Sequence, residues 1–261
     1  MPAIDAGSGL KDEVLAWSVL HELGLCRGRS VQLHSNGTQL RLTGVVSSRG
    51  THERLVSRLR DLGLAVRMEL QSVDDVVLSD DAPPVARRIT RVDAPGENLL
   101  RDWLSLQGMA ATEVAARTTE IANASVMTAD LAWSEAWALH DLATRFGPLW
   151  REMPAPAHAI VLSMARDHWS ELQTFAARQR RLSGGILPPV HHTNLGVLTA
   201  AEQWTGAAQQ LFAPAEPVSA DPGHLTRQIA SALVAIESLA GDDAALEALL
   251  QSNRLNIAHG R

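Results

Sequence analysis

Apolar residues recur at threes and fours near the start of the chain. Leu10, Val14, Trp17 and Leu20 line one face of a helix predicted over 10–23, and Gly24 stands where it should stop. The rhythm then changes to alternation. Val31 to Leu33 reads as a strand, Asn36-Gly37 as a hairpin turn, and Leu40 to Val46 as the return strand, with Leu40 and Leu42 on one face and Arg41 and Thr43 on the other. A second helix is predicted over 51–63, with Leu55, Leu59 and Leu62 as its stripe and Gly63 as its end. Leu64, Val66, Met68 and Leu70 then alternate with Ala65, Arg67 and Glu69, which predicts a third strand. The order is α-β-β-α-β over residues 1–73.

Residues 74–96 read as a linker, rich in turn formers and mixed charge: Asp80-Asp81, Pro83-Pro84, Arg87-Arg88 and Pro95-Gly96. Residues 97–190 read as a long helical hairpin. Leu99, Trp103, Leu106, Ala110, Val114, Arg117 and Ile121 form its first stripe, continued by Met127, Leu131, Ala138, Leu142 and Leu149. One very long helix, or two with a break near Asn123, would fit, and Gly147-Pro148 ends the run. Pro154 and Pro156 suit the first turn of the next helix. There Val161, His168, Phe175 and Leu182 fall seven apart, as do Ala165, Leu172, Gln179 and Ile186. That is a coiled-coil-like seam with two polar members, His168 and Gln179, predicted to pack antiparallel on the preceding helix. Residues 191–261 supply helices that pack on the hairpin. Thr199 to Glu202 reads as a capping box before Ala201, Trp204, Ala208 and Leu211, with Val197 on the same side. Asp221-Pro222 reads as an N-cap and first helical position before Leu225, Ile229, Leu233, Ile236 and Leu239; Gly241-Asp242 precedes Leu246, Leu249 and Leu250. The fold class expected is α+β, mostly α: a small αββαβ domain followed by a helical bundle.

Composition changes this picture in three ways. Hydrophobic residues make up 46% of the 261, enough to bury a core, and a formal net charge of -6 argues against a nucleic-acid partner. Cys26 is the only cysteine, so an internal disulfide or a thiolate-rich zinc site is excluded; it reads as a small packed residue in a loop. Neither a secretory leader nor a run of about 20 apolar residues occurs, so the chain reads as soluble.

Catalytic signatures are missing. Gly7-Ser8-Gly9 lacks the lysine of a phosphate loop, no nucleophile elbow occurs, and His21-Glu22 has no second histidine four residues on. His191-His192 reads as loop surface. His158 and His168 are ten apart on one helix, and His168 reads as a core histidine bonded to a neighbour. His140-Asp141 and Asp167-His168 resemble triad fragments without a nucleophile. Trp103, Trp133, Trp137, Trp169 and Trp204 lie on or beside apolar stripes and read as anchors. Arg178, Arg180 and Arg181 gather near a helix end, where cations suit the helix dipole. The candidate interaction residues are Arg178, Arg180, Arg181, Trp133 and Trp137. No concave pocket with converging ionisable groups is expected; the helical hydrophobes are taken up in helix-to-helix contact.

Residues 10–72, with Leu42-Thr43-Gly44 on the second strand and Gly63 to Val66 after the second helix, resemble the BON domain. Gly63-Leu64 stands where members of that family carry glycine-valine. The resemblance implies an αββαβ fold and a bacterial envelope module associated with phospholipid or outer-membrane interactions. Glu135 to Phe146 and Met164 to Trp169, after Asn98 to Leu104, are similar to the extracytoplasmic C-terminal part of acidobacterial membrane-bound proteins of the anti-sigma-factor type, in which a BON-like segment precedes the same helices. Together these cover about residues 10–190. Such proteins begin with a zinc-binding bundle (His-x3-Cys-x2-Cys) and a membrane span; with one cysteine and no span here, sigma-factor sequestration is not implied, and no catalytic residue carries over.

The expected function is a non-enzymatic, envelope-associated interaction or sensory module without a cofactor. Its partners would be a protein and/or a membrane lipid surface, with self-association through the helices. It would be periplasmic if a targeting segment precedes it and cytoplasmic otherwise. The alternative is a cytoplasmic helical scaffold or assembly protein.

Overall fold

The first stripe folds as α1 (Ala6–Glu22), which buries Val14, Ala16, Val19 and Leu20 and ends at Gly24, φ +68°. The structure is a computed structural model describing residues 6–28, 30–36, 39–75, 94–191, 193, 195–214, 221–239 and 241–252. The chain divides into two compact units: Met1–Arg87 with Asp141–Arg166, and Arg88–His140 with Asp167–Arg261. This departs from a division in chain order. Residues 141–166, expected within the hairpin of 97–190, belong with the first unit.

In the first unit, β1 (Val31–Ser35) pairs antiparallel with β2 (Leu40–Val46), and β2 pairs parallel with β3 (Val66–Ser72), giving the order β1-β2-β3. The hairpin forms, but Asn36 closes it rather than leading the turn: its N–H donates to Gln39 O (3.4 Å) and its Oδ1 accepts from Gln39 N (2.9 Å). Gly37 lies outside the described residues. Gly44, φ +129°, lies against the backbone of Ser30, where a Cβ would collide with the Ser30 carbonyl; glycine is required there. Helix α2 (Arg49–Asp61) starts at Ser48, whose Oγ accepts from Thr51 N at 3.1 Å. It buries Leu55 and Leu59; Leu62 is 45% exposed, because the helix stops before it. These residues join Leu33, Leu40, Leu42 and Val46 in one core under the sheet. Arg58 binds both oxygens of Glu22 at 2.8 and 2.9 Å, tying α2 to α1; that hydrogen bond and the carboxylate charge raise its already high pKa further.

In the second unit, α3 (Pro95–Leu106) buries Gly96, Leu100 and Leu104. The expected stripe through Trp103 and Leu106 is therefore one residue out of phase, and Leu106 is 85% exposed. Next comes α4 (Ala111–Phe146), unbroken at Asn123. The break falls at Gly108, φ +79°, which ends α3 in a left-handed turn. Along α4 the buried positions are mostly small: Ser125, Thr128, Ala129, Ala132 and Ala136. Of the expected stripe, Val114, Ile121, Ala138 and Leu142 are buried, whereas Met127 and Leu131 are 64% and 41% exposed. Gly147-Pro148 ends α4 as expected, and α5 (Ala155–Ser183) follows. Of its seam, Val161, Ala165, His168, Leu172 and Gln179 are buried, and Phe175, Leu182 and Ile186 are half-buried.

Helix α6 (Val197–Phe212) has Gly196 as its N-cap, three residues before the expected cap Thr199, and it buries Val197 and Leu198; Thr199 lies inside the helix and is exposed. Thr205 Oγ1 donates to Ala129 O (3.0 Å), seating α6 on α4. Gly96 lies so near Leu211 and Phe212 that no Cβ fits between α3 and α6. Helix α7 (Pro222–Glu237) is capped by Asp221, which accepts from Gly223 N and His224 N at 3.1 Å each. It buries Leu225, Ile229, Leu233 and Ile236; Leu239 lies past its end and is 38% exposed. Gln173 Nε2 donates to Ile236 O (2.8 Å), joining α7 to α5. Asp242 caps α8 (Asp243–Gln251), which buries Leu246 and Leu250. No helix of the described residues is long and apolar enough to cross a membrane.

Candidate functional site

The first unit contains a cleft of about 710 Å³ where α1, β1 and the chain from Asp141 to Glu152 meet. Leu10 and Trp17 come from the α1 stripe, Leu33 and Ser35 from β1, and Pro148 and Leu149 from the turn after α4. Trp17 is held by Phe146, ring centroids 6.3 Å apart and edge to face. The ionisable lining is Glu13, Asp141, Arg145 and Glu152: three carboxylates against one guanidinium.

Glu13 is buried, and its Oε1 accepts a hydrogen bond from Arg145 Nε. The pair is asymmetric, with side chains 7% and 34% exposed. Glu13 supplies the desolvated charge, and Arg145 carries the compensation out to solvent. A buried carboxylate needs such a partner to stay charged. Glu152 is exposed at the rim. The exposed Glu152 carboxylate and the apolar floor together suit a cationic, partly apolar ligand.

This cleft corrects the expectation that ionisable groups would not converge in a concave pocket. Glu13 and Arg145 were invisible as a pair because 132 residues separate them. The one local signal was a carboxylate set inside the Leu10–Val14–Trp17 stripe.

The second unit holds another polar pair. His168 Nδ1 lies 2.6 Å from Glu135 Oε2, both side chains 1% exposed. His168 is thus a core histidine bonded to a neighbour, as its seam position predicted; the partner on α4 was not foreseen. A carboxylate beside an imidazole resembles half of an acid–base machine, but a substrate must reach it, and burial closes that route. Gln179, the other polar seam residue, donates from Nε2 to Ser183 Oγ at 2.9 Å.

The remaining candidates scatter. Trp133 and Trp137 pack edge to face at 5.6 Å, half-buried, and Trp137 meets the His140 ring at 5.1 Å. Trp169 and Trp204 are buried, and Trp103 is half-buried. Arg180 binds Glu237 through Nε at 2.6 and 2.7 Å, leaving Arg178 and Arg181 as the exposed members of the basic group. His158 packs on Trp150, centroids 3.9 Å apart. Cys26 is buried, its Sγ 3.7 Å from His21 Nδ1. His191 is exposed and His192 lies outside the described residues.

Set against known proteins, the chain matches no family model, no curated protein and no solved structure.

Proposed function

We propose that this protein is a non-enzymatic interaction module whose first unit takes a basic, partly apolar segment of a protein partner. The cleft carries this reading. It measures about 710 Å³ and is open to solvent along its length, a shape for an extended segment. Trp17, Leu10, Leu33 and Leu149 offer an apolar floor, and Glu152 and Asp141 stand at its border beside the Glu13–Arg145 pair. A lysine or arginine flanked by apolar side chains suits the apolar floor and the exposed Glu152, whereas an anionic phospholipid headgroup meets that carboxylate as a like charge. Between the two expected partner classes, a protein and a membrane lipid surface, the cleft therefore favours the protein. The BON resemblance rests on the α-β-β-α-β order and would set the module in the bacterial envelope, with the helices as an assembly element.

Panning a linear peptide library against the full chain tests this. Enriched peptides are expected to carry a basic residue between apolar ones, and Glu152→Arg is expected to weaken them about tenfold by fluorescence anisotropy. Absence of enrichment, or binding indifferent to both Glu152→Arg and Leu149→Asp, would sink the proposal.

A second reading, a cytoplasmic assembly scaffold, draws on the exposure of Met127 and Leu131 one turn apart on α4. Localising a tagged native gene product separates the two: envelope fractionation favours the first and cytoplasmic retention the second.

A further inference from the structure

The sheet has an open edge whose chemistry fits itself. No strand pairs with the outer side of β3 among the described residues. Backbone alternation fixes which groups face that side. Val45 N donates to Ser30 O (2.7 Å), so odd-numbered residues of β2 direct their backbone groups to β1 and even-numbered ones to β3. The parallel register, Leu42 opposite Met68, then turns Arg67 and Glu69 toward β2. Val66, Met68 and Leu70 present their N–H and C=O groups outward, a template for another strand. Their side chains are half-buried on the core face, beside a groove lined by Val56, Leu59 and Leu64. Arg67 and Glu69 are exposed on the opposite face, where Arg67 Nε lies 2.9 Å from Glu69 Oε1 and Arg41 3.8 Å from Glu69 Oε2, so pairing between copies exchanges one Arg67–Glu69 contact for its equivalent across the axis.

We propose that β3 pairs antiparallel with β3 of a second copy of this chain, with the two-fold axis at Met68. Outward groups must meet outward groups, so only registers joining even-numbered residues to even-numbered ones form hydrogen bonds. Centring on residue 67 sets Arg67 against Arg67, and centring on residue 69 sets Glu69 against Glu69. Centring on Met68 sets Arg67 against Glu69 twice, by symmetry, and sets Val66 against Leu70 on the core face. The ladder, the charges and the apolar face agree on that one register. This contact lies in the sheet, not in the helices where self-association was expected, and it does not depend on the cleft reading.

Sedimentation velocity of the full chain over a concentration series is expected to show a dimer. Arg67→Glu sets like charges opposite each other twice and is expected to weaken it about tenfold; the exchange Arg67→Glu/Glu69→Arg is expected to restore it. Residues facing each other in a hydrogen-bonded antiparallel pair have Cα atoms about 5.5 Å apart, within disulfide reach. Met68→Cys in a Cys26→Ala background should therefore cross-link between chains on mild oxidation, a readout that survives if the charge variants fold poorly. A monomer at every concentration would overturn the proposal. So would a dimer insensitive to Arg67→Glu that Met68→Cys fails to cross-link.

Discussion

Two carboxylates are buried among the described residues, each beside a basic side chain, and they behave as opposites. Glu13 of the first unit keeps a path to water through Arg145, which lines an open cleft and is 34% exposed. Glu135 of the second unit is closed off with His168, both 1% exposed, on a stretch of α4 buried through Ala132 and Ala136. Pairing alone does not make a site. An acid and a base that solvent cannot reach fix how two helices meet, while a similar pair at a cleft wall also sets the electrostatics that a ligand encounters. Burial therefore ranks what each pair does for stability and for binding, and substitutions should follow that rank.

The largest effect is expected at the sealed pair. His168→Leu takes the imidazole hydrogen bond from Glu135 in the interior and should cost about 3 kcal/mol in urea unfolding. Glu135→Met/His168→Leu removes both polar groups at similar volume and should recover the loss, because replacing both partners of a buried hydrogen bond by apolar groups of like shape can be nearly neutral. A double variant as unstable as the single one would show that the pair specifies the fold beyond its own electrostatics. Next comes the cleft pair. Glu13→Gln should cost about 1.5–3 kcal/mol, the range for a hydrogen bond to a charged group, and less than His168→Leu because water can solvate the released Arg145. Equal losses at the two pairs would break the comparison, since burial could not then separate them.

How much of this the sequence carried depends on the scale of the interaction. Periodicity located α1, β2 and α2 closely and identified α5 as a seam with His168 inside it. These signals repeat within a turn or two and use large apolar residues. It failed where burial used small ones. On α4 the eye follows Met127 and Leu131, yet Ser125, Thr128, Ala129 and Ala132 are buried, and Glu135 hides among them. On α3 Leu106 attracts the stripe and Gly96 repels it, yet Gly96 is the closest approach to α6 because it lacks a side chain. The Thr199 box failed because a local cap competed with the burial of Val197 and Leu198 and lost. The cleft was least visible: α1, β1 and the turn after α4 must fold before Glu13 and Arg145 meet, and no short window contains them.

The smallest effect is expected at the surface, where the basic group on α5 meets α7. Arg180 and Glu237 bond at 2.6 and 2.7 Å, the geometry of a strong contact, yet their side chains are 40% and 31% exposed. Water competes for both partners, and two long side chains lose freedom to hold one arrangement. A double-mutant cycle of Arg180→Ala and Glu237→Ala should give a coupling of about 0.2–1 kcal/mol. The coupling should fade in 1 M salt, where screening acts within about 3 Å. A salt-insensitive coupling as large as that of His168 with Glu135 would mean that short contact distance, rather than exclusion of water, governs these pairs. The same cycle bears on the basic group as an interaction surface. If Glu237 holds Arg180, its release by Glu237→Ala should strengthen binding of a polyanion such as heparin to Arg178 and Arg181, and an unchanged affinity would remove that surface from consideration.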